Sequence, residues 1–230
     1  MRFILLAACL LFAVNSAQAM EPAPPPPGPV FIAAYADIHP AQSGAARALI
    51  AAYVRANRSD PGNVESHALQ NLERGSKFVV IETWKDQQAF AAHEQAAHTQ
   101  QFREQIRPLS RIPYDQGVHH GLDVDPAPAT VPANAVYVVT HVDVRSQREQ
   151  TEAQMKLLGP ASRMDAGRLR YDVYQQNPTR TNHFTLFSIW NNRRAYDAHA
   201  ASAHWQAFVA SIAPLIGAPY DDRLFARIRD

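Results

Sequence analysis

The chain reads WKDQQAFAAHEQAAHTQQF at residues 84–102 and WNNRRAYDAHAASAHWQAF at residues 190–208. A shift of 106 positions aligns the two tryptophans, both pairs of histidines and the closing phenylalanines. Over residues 78–115 and 184–221, fifteen of thirty-eight positions are identical, whereas residue frequencies alone give roughly two or three. The chain therefore contains an internal duplication, and each copy is expected to form one structural unit.

Both copies predict the same order of secondary-structure elements. Copy one predicts strands over residues 30–38, 64–71 and 77–84, helices over 43–57 and from Asp86 to Pro108, and a last strand after Tyr114. Copy two predicts strands over residues 135–144, 168–176 and 183–190, helices over 147–158 and from Asn191 to Pro214, and a last strand after Tyr220. Asp86 and Asn191 are the predicted caps, because their side chains accept hydrogen bonds from free backbone N–H groups.

The order β-α-β-β-α-β is that of a ferredoxin-like unit, an α+β arrangement with one antiparallel sheet and both helices on one of its faces. The other face of such a sheet is apolar and has to be covered. Two units in one chain can cover each other. We therefore predict two ferredoxin-like units packed as a pseudo-dimeric α/β barrel with pseudo-twofold symmetry, and leave further oligomerisation open.

The first nineteen residues are typical of a secretory signal peptide. Arg2 precedes a short apolar run, and Ala17-Gln18-Ala19 is a small-residue cleavage site. We therefore expect a periplasmic or secreted protein whose mature chain begins at Met20. Cys9 is the single cysteine, so this mature chain would contain no disulfide.

Proline-rich segments divide the rest of the chain. Residues 20–29 and 123–134 are predicted to be extended, solvated linkers. They leave two domains, residues 30–122 and residues 135–230.

Composition excludes several classes of function. The chain has 22 Lys+Arg and 21 Asp+Glu, and removal of Arg2 with the signal leaves 21 of each, so no electrostatic footprint for nucleic acid remains. After the signal, no apolar run is long enough to span a membrane. The sequence contains no glycine-rich phosphate loop, nucleophile elbow or dinucleotide-binding fingerprint.

The repeated histidines are the main candidates for chemistry. His98 follows His93 by five residues, about 140° around an ideal helix, so we predict a helix break at residues 94–96 and again at 200–202. A histidine on a buried helix is most often structural. A half-buried imidazole beside an apolar pocket can instead act as a general base.

We expect no metal site, because no acidic residue or cysteine lies at ligand spacing from His93 and His98, and H-x4-H is not a standard helical ligand pair. His119 and His120 have no counterpart in copy two and are predicted to lie at the surface. His67 is also unmatched. His141 aligns with Tyr35 on the first strand, where either side chain can face the barrel interior.

The repeated motif closely resembles that of the antibiotic biosynthesis monooxygenase domain, of the dimeric α/β-barrel superfamily, over residues 30–122 and 135–228. In copy one the motif consists of Glu82-Thr83-Trp84, Ala89-Phe90-Ala91-Ala92-His93 and His98 to Phe102. In copy two it consists of Ser188-Ile189-Trp190, Ala195-Tyr196-Asp197-Ala198-His199 and His204 to Phe208.

The resemblance implies small domains that pair into a barrel. Some members of that family oxidise quinols or polyketide phenols with O2 and no cofactor, others are isomerases, and others degrade heme. The heme-degrading members use an asparagine on the first strand, and neither residues 30–38 nor residues 135–144 contain one. Ser188 replaces Glu82 in copy two, so the two sites are not expected to be equivalent.

We therefore predict a cofactor-independent monooxygenase that oxidises a quinol-like or phenolic aromatic molecule with O2. His93 and His199 are the predicted catalytic bases. The predicted substrate-binding residues are Trp84, Phe90, His98, Trp190, Tyr196 and His204. Two alternatives stay open: a heme-binding or heme-degrading protein with His93 or His199 as axial ligand, and a non-catalytic periplasmic ligand-binding barrel.

Overall fold

The structure, a computed structural model, describes residues 26–145, 148–178 and 180–229. The predicted signal peptide and the start of the first proline-rich linker lie outside these residues. Within the described ranges, no helix is both long and apolar enough to cross a membrane.

The predicted order of elements is confirmed in both copies. Copy one contains β1 (Val30–Asp37), α1 (Ser43–Asn57), β2 (Asn63–Asn71), β3 (Lys77–Trp84), α2 (Gln87–Glu94), α3 (Ala97–Ile106) and β4 (Asp115–Asp123). Copy two contains β5 (Val136–Asp143), α4 (Arg148–Arg163), β6 (Arg168–Gln176), β7 (His183–Trp190), α5 (Arg193–Ala200), α6 (Ala203–Ile212) and β8 (Asp221–Arg227). Helix α4 is longer than predicted and continues past Pro160.

The eight strands form one closed antiparallel barrel in the order β1-β3-β2-β8-β5-β7-β6-β4. Each copy contributes a four-stranded sheet, and the two sheets join where β2 pairs with β8 and β4 pairs with β6. The predicted barrel of two ferredoxin-like units is therefore confirmed. A closed barrel leaves no sheet edge exposed.

Alternation along the strands separates the barrel interior from the layer beneath the helices. On β1, Phe31 and Ala33 belong to the interior cluster, whereas Val30, Ile32 and Ala34 pack with the helices. The interior combines side chains from both copies: Phe31, Ala33, Leu69, Val79, Ile81, Tyr137, Val139, Tyr174, Phe187, Ile189 and Phe225. Neither copy alone supplies this core.

The helix breaks occur where the sequence predicts them. Helix α2 ends at Glu94 and α3 begins at Ala97, and α5 and α6 are separated at residues 201–202. Asp86 caps α2 as predicted, but the cap of α5 is Asn192, not Asn191. Asn192 is the residue that the 106-residue shift aligns with Asp86.

Equivalent positions of the two copies meet across the pseudo-twofold axis. The Tyr35 hydroxyl lies 2.5 Å from Nε2 of His141, its counterpart 106 residues later. On β2 and β6, Glu65 and its counterpart Arg170 form an ion pair. Here the offset is 105, because copy two is one residue shorter before β6.

The second proline-rich linker is attached to copy two, so the prediction of a solvated segment is wrong at Asp125. The Asp125 carboxylate accepts a hydrogen bond from the backbone N–H of Tyr171 at 2.9 Å and pairs with Arg163 and Arg168. A linker held at this point fixes the path of the chain between the two domains.

Candidate functional site

A cleft of about 750 Å³ lies in copy one, between the helices α2 and α3 and strand β4. Its apolar wall consists of Phe90, Ile106, Ile112, Pro113, Tyr114 and Val118. Its polar side chains include Glu94, Arg103 and Gln116. An apolar pocket with a few convergent polar groups is the usual form of a small-molecule site.

The three polar side chains form one hydrogen-bonded group. Arg103 Nη2 donates to Glu94 Oε1 at 2.5 Å and to Gln116 Oε1 at 2.8 Å. Gln116 Nε2 also donates to Glu94 Oε1 at 3.3 Å. Burial lowers the pKa of Arg103, but the Glu94 carboxylate raises it above its usual value. The cleft therefore contains a guanidinium that stays charged.

Glu82 lies on β3 and is fully buried beneath the helices. Its carboxylate accepts hydrogen bonds from Asn57 Nδ2 at 2.7 Å and from Trp84 Nε1 at 2.9 Å. Burial raises the pKa of Glu82 to about 7, although the bond from Trp84 opposes that change. This carboxyl group is therefore partly protonated near neutral pH.

The structure brings together the predicted site residues of each copy. In copy one, the Trp84 ring stacks on His93 with centroids 4.4 Å apart, and His98 lies 5.5 Å from His93. Phe90 lies 6.4 Å from Trp84 and is the one member of this group that lines the cleft. Copy two repeats the arrangement with Trp190, Tyr196, His199 and His204.

His93 is 2% exposed, and both of its ring nitrogens have partners. Nδ1 lies 2.7 Å from Asp60 Oδ2, and Nε2 lies 2.9 Å from the Tyr53 hydroxyl. Burial lowers the pKa of His93, and Asp60 opposes the change. The roles of His93 and His199 as bases stay predictions, and the His93 nitrogens point to Asp60 and Tyr53 rather than to the cleft.

The expectation that no acidic residue joins the paired histidines is wrong. Asp60 Oδ2 lies 2.7 Å from His93 Nδ1 and 3.2 Å from His98 Nε2. In copy two, Asp165 Oδ2 lies at the same two distances from His199 and His204. Each carboxylate comes from the loop before the second strand, more than thirty residues away in sequence, so local spacing did not reveal it.

A repeated turn places each of these aspartates. Gly62 and Gly167 follow them by two residues and have φ values of 83° and 81°. A Cβ at either glycine would lie within 2.7 Å of Ala89 or Ala195 in the first turn of the next helix. The shared Asp-x-Gly pattern was the sequence signal that could have identified the two aspartates.

A second cavity, of about 490 Å³, opens at the end of the barrel where Tyr35 meets His141. His141 Nδ1 lies 3.1 Å from His183 Nε2, and His183 Nδ1 lies 2.7 Å from Asp143 Oδ1. Thr185 Oγ1 lies 3.1 Å from Nε2 of His119, which also lines this cavity. The cavity therefore contains a chain of hydrogen-bonded imidazoles on the symmetry axis.

His119 was predicted to lie at the surface, and this prediction is wrong. Strand β4 pairs with β6 of the other copy, so its inner face becomes part of the barrel, and His119 is 2% exposed. Burial lowers the pKa of His119 to about 3 and that of His141 to about 2. His120 points the other way and is half-buried, with Nδ1 2.9 Å from Asn177 Oδ1. His67 is also buried, beside Tyr137.

Comparison with known proteins gives concordant results. "Putative monooxygenase YcnE" of Bacillus subtilis is 31% identical over 75 residues, which are 33% of this chain and 78% of that protein. A crystal structure described as a putative monooxygenase from Fusobacterium nucleatum aligns with a TM-score of 0.78 at 13% identity, over 88% of this chain and 93% of that one.

A similar structure from Lactobacillus acidophilus aligns with a TM-score of 0.70 at 15% identity, over 88% of this chain and 95% of that one. At such identities these structures show a shared fold. A sequence model described as "Antibiotic biosynthesis monooxygenase" matches residues 29–105 and again residues 135–211. The chain belongs to the antibiotic biosynthesis monooxygenase family and contains two copies of its domain in tandem.

Proposed function

We propose that this protein is a monooxygenase that oxidises a phenolic or quinol-like aromatic molecule with O2 in the cleft of copy one. The observation that carries the proposal is the combination of an apolar wall with the charged Arg103 group in one cleft of about 750 Å³. This volume suits a small aromatic ligand. Family membership supports monooxygenase-like chemistry.

Each part of the cleft has a role in the proposed reaction. The rings of Phe90 and Tyr114 pack against a planar substrate. Glu94 accepts the proton of the substrate hydroxyl, and Arg103 stabilises the resulting oxyanion. This anion is electron-rich enough to pass an electron to O2. Of the two oxygen atoms, one enters the substrate and the other leaves as water.

The proposed reaction requires no separate electron donor or bound cofactor. A quinol carries two more electrons than its quinone, and hydroxylation of the quinone ring consumes O2 with release of one water. Quinol and O2 thus balance hydroxyquinone and water. The protein then contributes binding, proton transfer and exclusion of solvent.

The proposal locates turnover in copy one because copy two differs at each polar position. Ala200, Val209 and Asp222 occupy the positions of Glu94, Arg103 and Gln116. A cavity wall without a cation gives no stabilisation to a substrate anion. Copy two then serves mainly to complete the barrel.

O2 uptake by the purified protein with a panel of quinols and polycyclic phenols tests this function. We expect Arg103→Met to lower kcat/KM by about 10²-fold, the scale of one lost oxyanion-stabilising group, with the melting temperature almost unchanged. The exposed Arg74→Met is the matched control. A wild-type rate in Arg103→Met, or no O2 uptake with any substrate of the panel, would count against the proposal.

We also propose that the protein is exported and acts outside the cytoplasm, on the basis of residues 1–19. Mass spectrometry of the exported protein should give Met20 as its first residue, without a lipid. A mature chain that begins at an acylated Cys9 would contradict this expectation.

A further inference from the structure

We propose that each copy binds a divalent transition-metal ion between one carboxylate and two imidazoles. The site in copy one consists of Asp60, His93 and His98, and the site in copy two of Asp165, His199 and His204. In each set the three ligand atoms lie within 4.8 Å of one another. Both sites are separate from the proposed substrate cleft, whose lining includes none of these six residues.

The first argument is that the geometry repeats while the surroundings do not. The two carboxylate–imidazole distances are 2.7 and 3.2 Å in both copies. The neighbouring positions differ: Thr99 corresponds to Trp205, and Tyr53 corresponds to Leu158. Packing against different neighbours does not by itself require the same three polar side chains at the same separations.

The second argument is an unsatisfied ring nitrogen. His98 Nε2 is buried and, among the residues that the structure describes, has no hydrogen-bond partner. It lies 3.2 Å from Asp60 Oδ2 without hydrogen-bond geometry. A buried polar atom without a partner is destabilising, because it has given up its hydrogen bonds to water. Shared coordination of one cation by His98, His93 and Asp60 would remove this cost.

The ligand set identifies the class of ion. Two imidazoles and one carboxylate suit Zn²⁺, and the same combination with open positions is typical of non-heme Fe²⁺ sites. Ligand atoms at about 2.1 Å from a tetrahedral ion are roughly 3.4 Å apart. The 2.7 Å contact between Asp60 and His93 therefore has to open by less than 1 Å.

The surroundings of the copy-one site are suited to coordination. The Tyr53 hydroxyl lies 2.9 Å from His93 Nε2, so its oxygen can accept a hydrogen bond from Nε2–H when Nδ1 binds the ion. A hydrogen bond to the second nitrogen is the usual way in which a ligating histidine is oriented. The side chains of Asp60 and His98 are 18% and 29% exposed, which gives an ion access from solvent.

The copy-two site should bind less tightly. His204 Nε2 lies 3.3 Å from Ser202 Oγ, so coordination has to replace a hydrogen bond there. His98 Nε2 has no such bond to lose among the described residues. Leu158 replaces Tyr53 and gives His199 no hydroxyl at the corresponding position. The proposal therefore predicts two classes of site in one chain.

Titration of the chelator-treated mature protein with Zn²⁺ and Co²⁺ tests the proposal. Calorimetry should count two ions per chain, the first bound at least tenfold more tightly than the second. Co²⁺ should give visible absorption bands that Zn²⁺ abolishes. His98→Ala should remove the tighter site, His204→Ala the weaker one, and the double variant both.

His39→Ala is the matched control, because His39 is exposed and lies outside both sites; it should bind two ions. His98 and His204 are half-exposed, so their variants should keep the wild-type circular dichroism spectrum. Where a variant does not, Asp60→Asn and Asp165→Asn replace it, since the amide keeps the shape and removes the charge. These measurements need no turnover, so they are independent of the proposed monooxygenase activity.

The outcomes are distinct. Absence of binding heat and of Co²⁺ bands in excess metal overturns the proposal. Two ions retained by the double variant place the metal elsewhere and overturn it too. One ion in the wild type, lost in His98→Ala, supports the site in copy one and overturns that in copy two.

Discussion

The two copies share one framework and differ in the cleft beside it. Trp84, His93 and Asp60 have counterparts of the same residue type in Trp190, His199 and Asp165, with almost the same distances. Arg103, Glu94 and Glu82, in contrast, correspond to Val209, Ala200 and Ser188. The shared residues hold helices, loop and sheet together, whereas Arg103, Glu94 and Glu82 have no charged counterpart in copy two.

The aromatic packing near the cleft also differs between the copies. In copy one, Tyr53 of α1 stacks on Phe102 with ring centroids 3.9 Å apart. In copy two the corresponding aromatic residue comes from α6: Trp205 packs against Phe208 at 5.5 Å and Tyr220 at 5.8 Å. The indole in place of Thr99 adds bulk beneath the helices of copy two. The same fold thus holds the proposed substrate cleft in one half and a bulkier aromatic layer in the other.

The largest expected effect comes from separating the copies. Residues 30–122 alone expose the apolar inner face of their sheet, which Tyr137, Phe187 and Phe225 cover in the intact chain. Full burial of one such side chain contributes about 1.5–3 kcal/mol, so the isolated half should dimerise or aggregate. Analytical ultracentrifugation and thermal melts of the half and of the full chain measure this. A monomeric half that melts at the temperature of the full chain would contradict the shared core.

The next prediction compares His93→Ala with His199→Ala. Both ring nitrogens of His93 are hydrogen-bonded and its ring stacks on Trp84. We therefore expect His93→Ala to lower the free energy of unfolding by about 1–3 kcal/mol and to retain the turnover of each folded molecule. The loss should be larger for His93→Ala, since His93 also bonds Tyr53. If His93 is instead the base predicted from the sequence, turnover should fall about 10²- to 10⁴-fold at an unchanged melting temperature.

Kinetics and melting curves of the same preparations separate these results, and the double variant His93→Ala/His199→Ala extends them. Equal effects at the two positions would show that the copies are equivalent. A loss of turnover with His199→Ala alone would place the active site in copy two.

The fold was predictable because its determinants are local and repeated. The strands predicted over residues 77–84 and 183–190 have the observed bounds, and the five-residue separation of His93 and His98 gave the helix break. Barrel closure followed from the need to cover two apolar faces. These inferences depend only on residues that are close in sequence and on the need to bury apolar surface, so one sequence was sufficient to predict the fold.

The site was less predictable because its partners are distant in sequence. Asp60 reaches His93 from a loop thirty-three residues earlier, and Gln116 on strand β4 reaches Arg103 on helix α3. His119 is buried because β4 pairs across the copies, which strand alternation alone does not reveal. Periodicity determines which face of an element a residue occupies, but only tertiary packing determines what that face contacts.

The last comparison isolates Glu82, whose counterpart is Ser188. Burial raises the pKa of Glu82 from the usual 4.5 of a glutamate to about 7. A raised pKa means that the folded state favours the protonated form of Glu82. The stability that this protonation contributes is fully present below about pH 4.5 and is lost as the pH rises through 7. The difference corresponds to about 3 kcal/mol. Glu82→Gln, which is neutral throughout, should therefore gain stability relative to the wild type between pH 5 and pH 8.

Melting temperatures of the wild type and Glu82→Gln across this pH range test that gain, with the exposed Glu73→Gln as control. The buried His119 and His141 act in the opposite direction, because lowered histidine pKa values destabilise the fold as pH falls below about 6.5. Both proteins contain these histidines, so the difference between the two melting curves cancels their effect. A difference that stays constant from pH 5 to pH 8 would show that Glu82 does not titrate there.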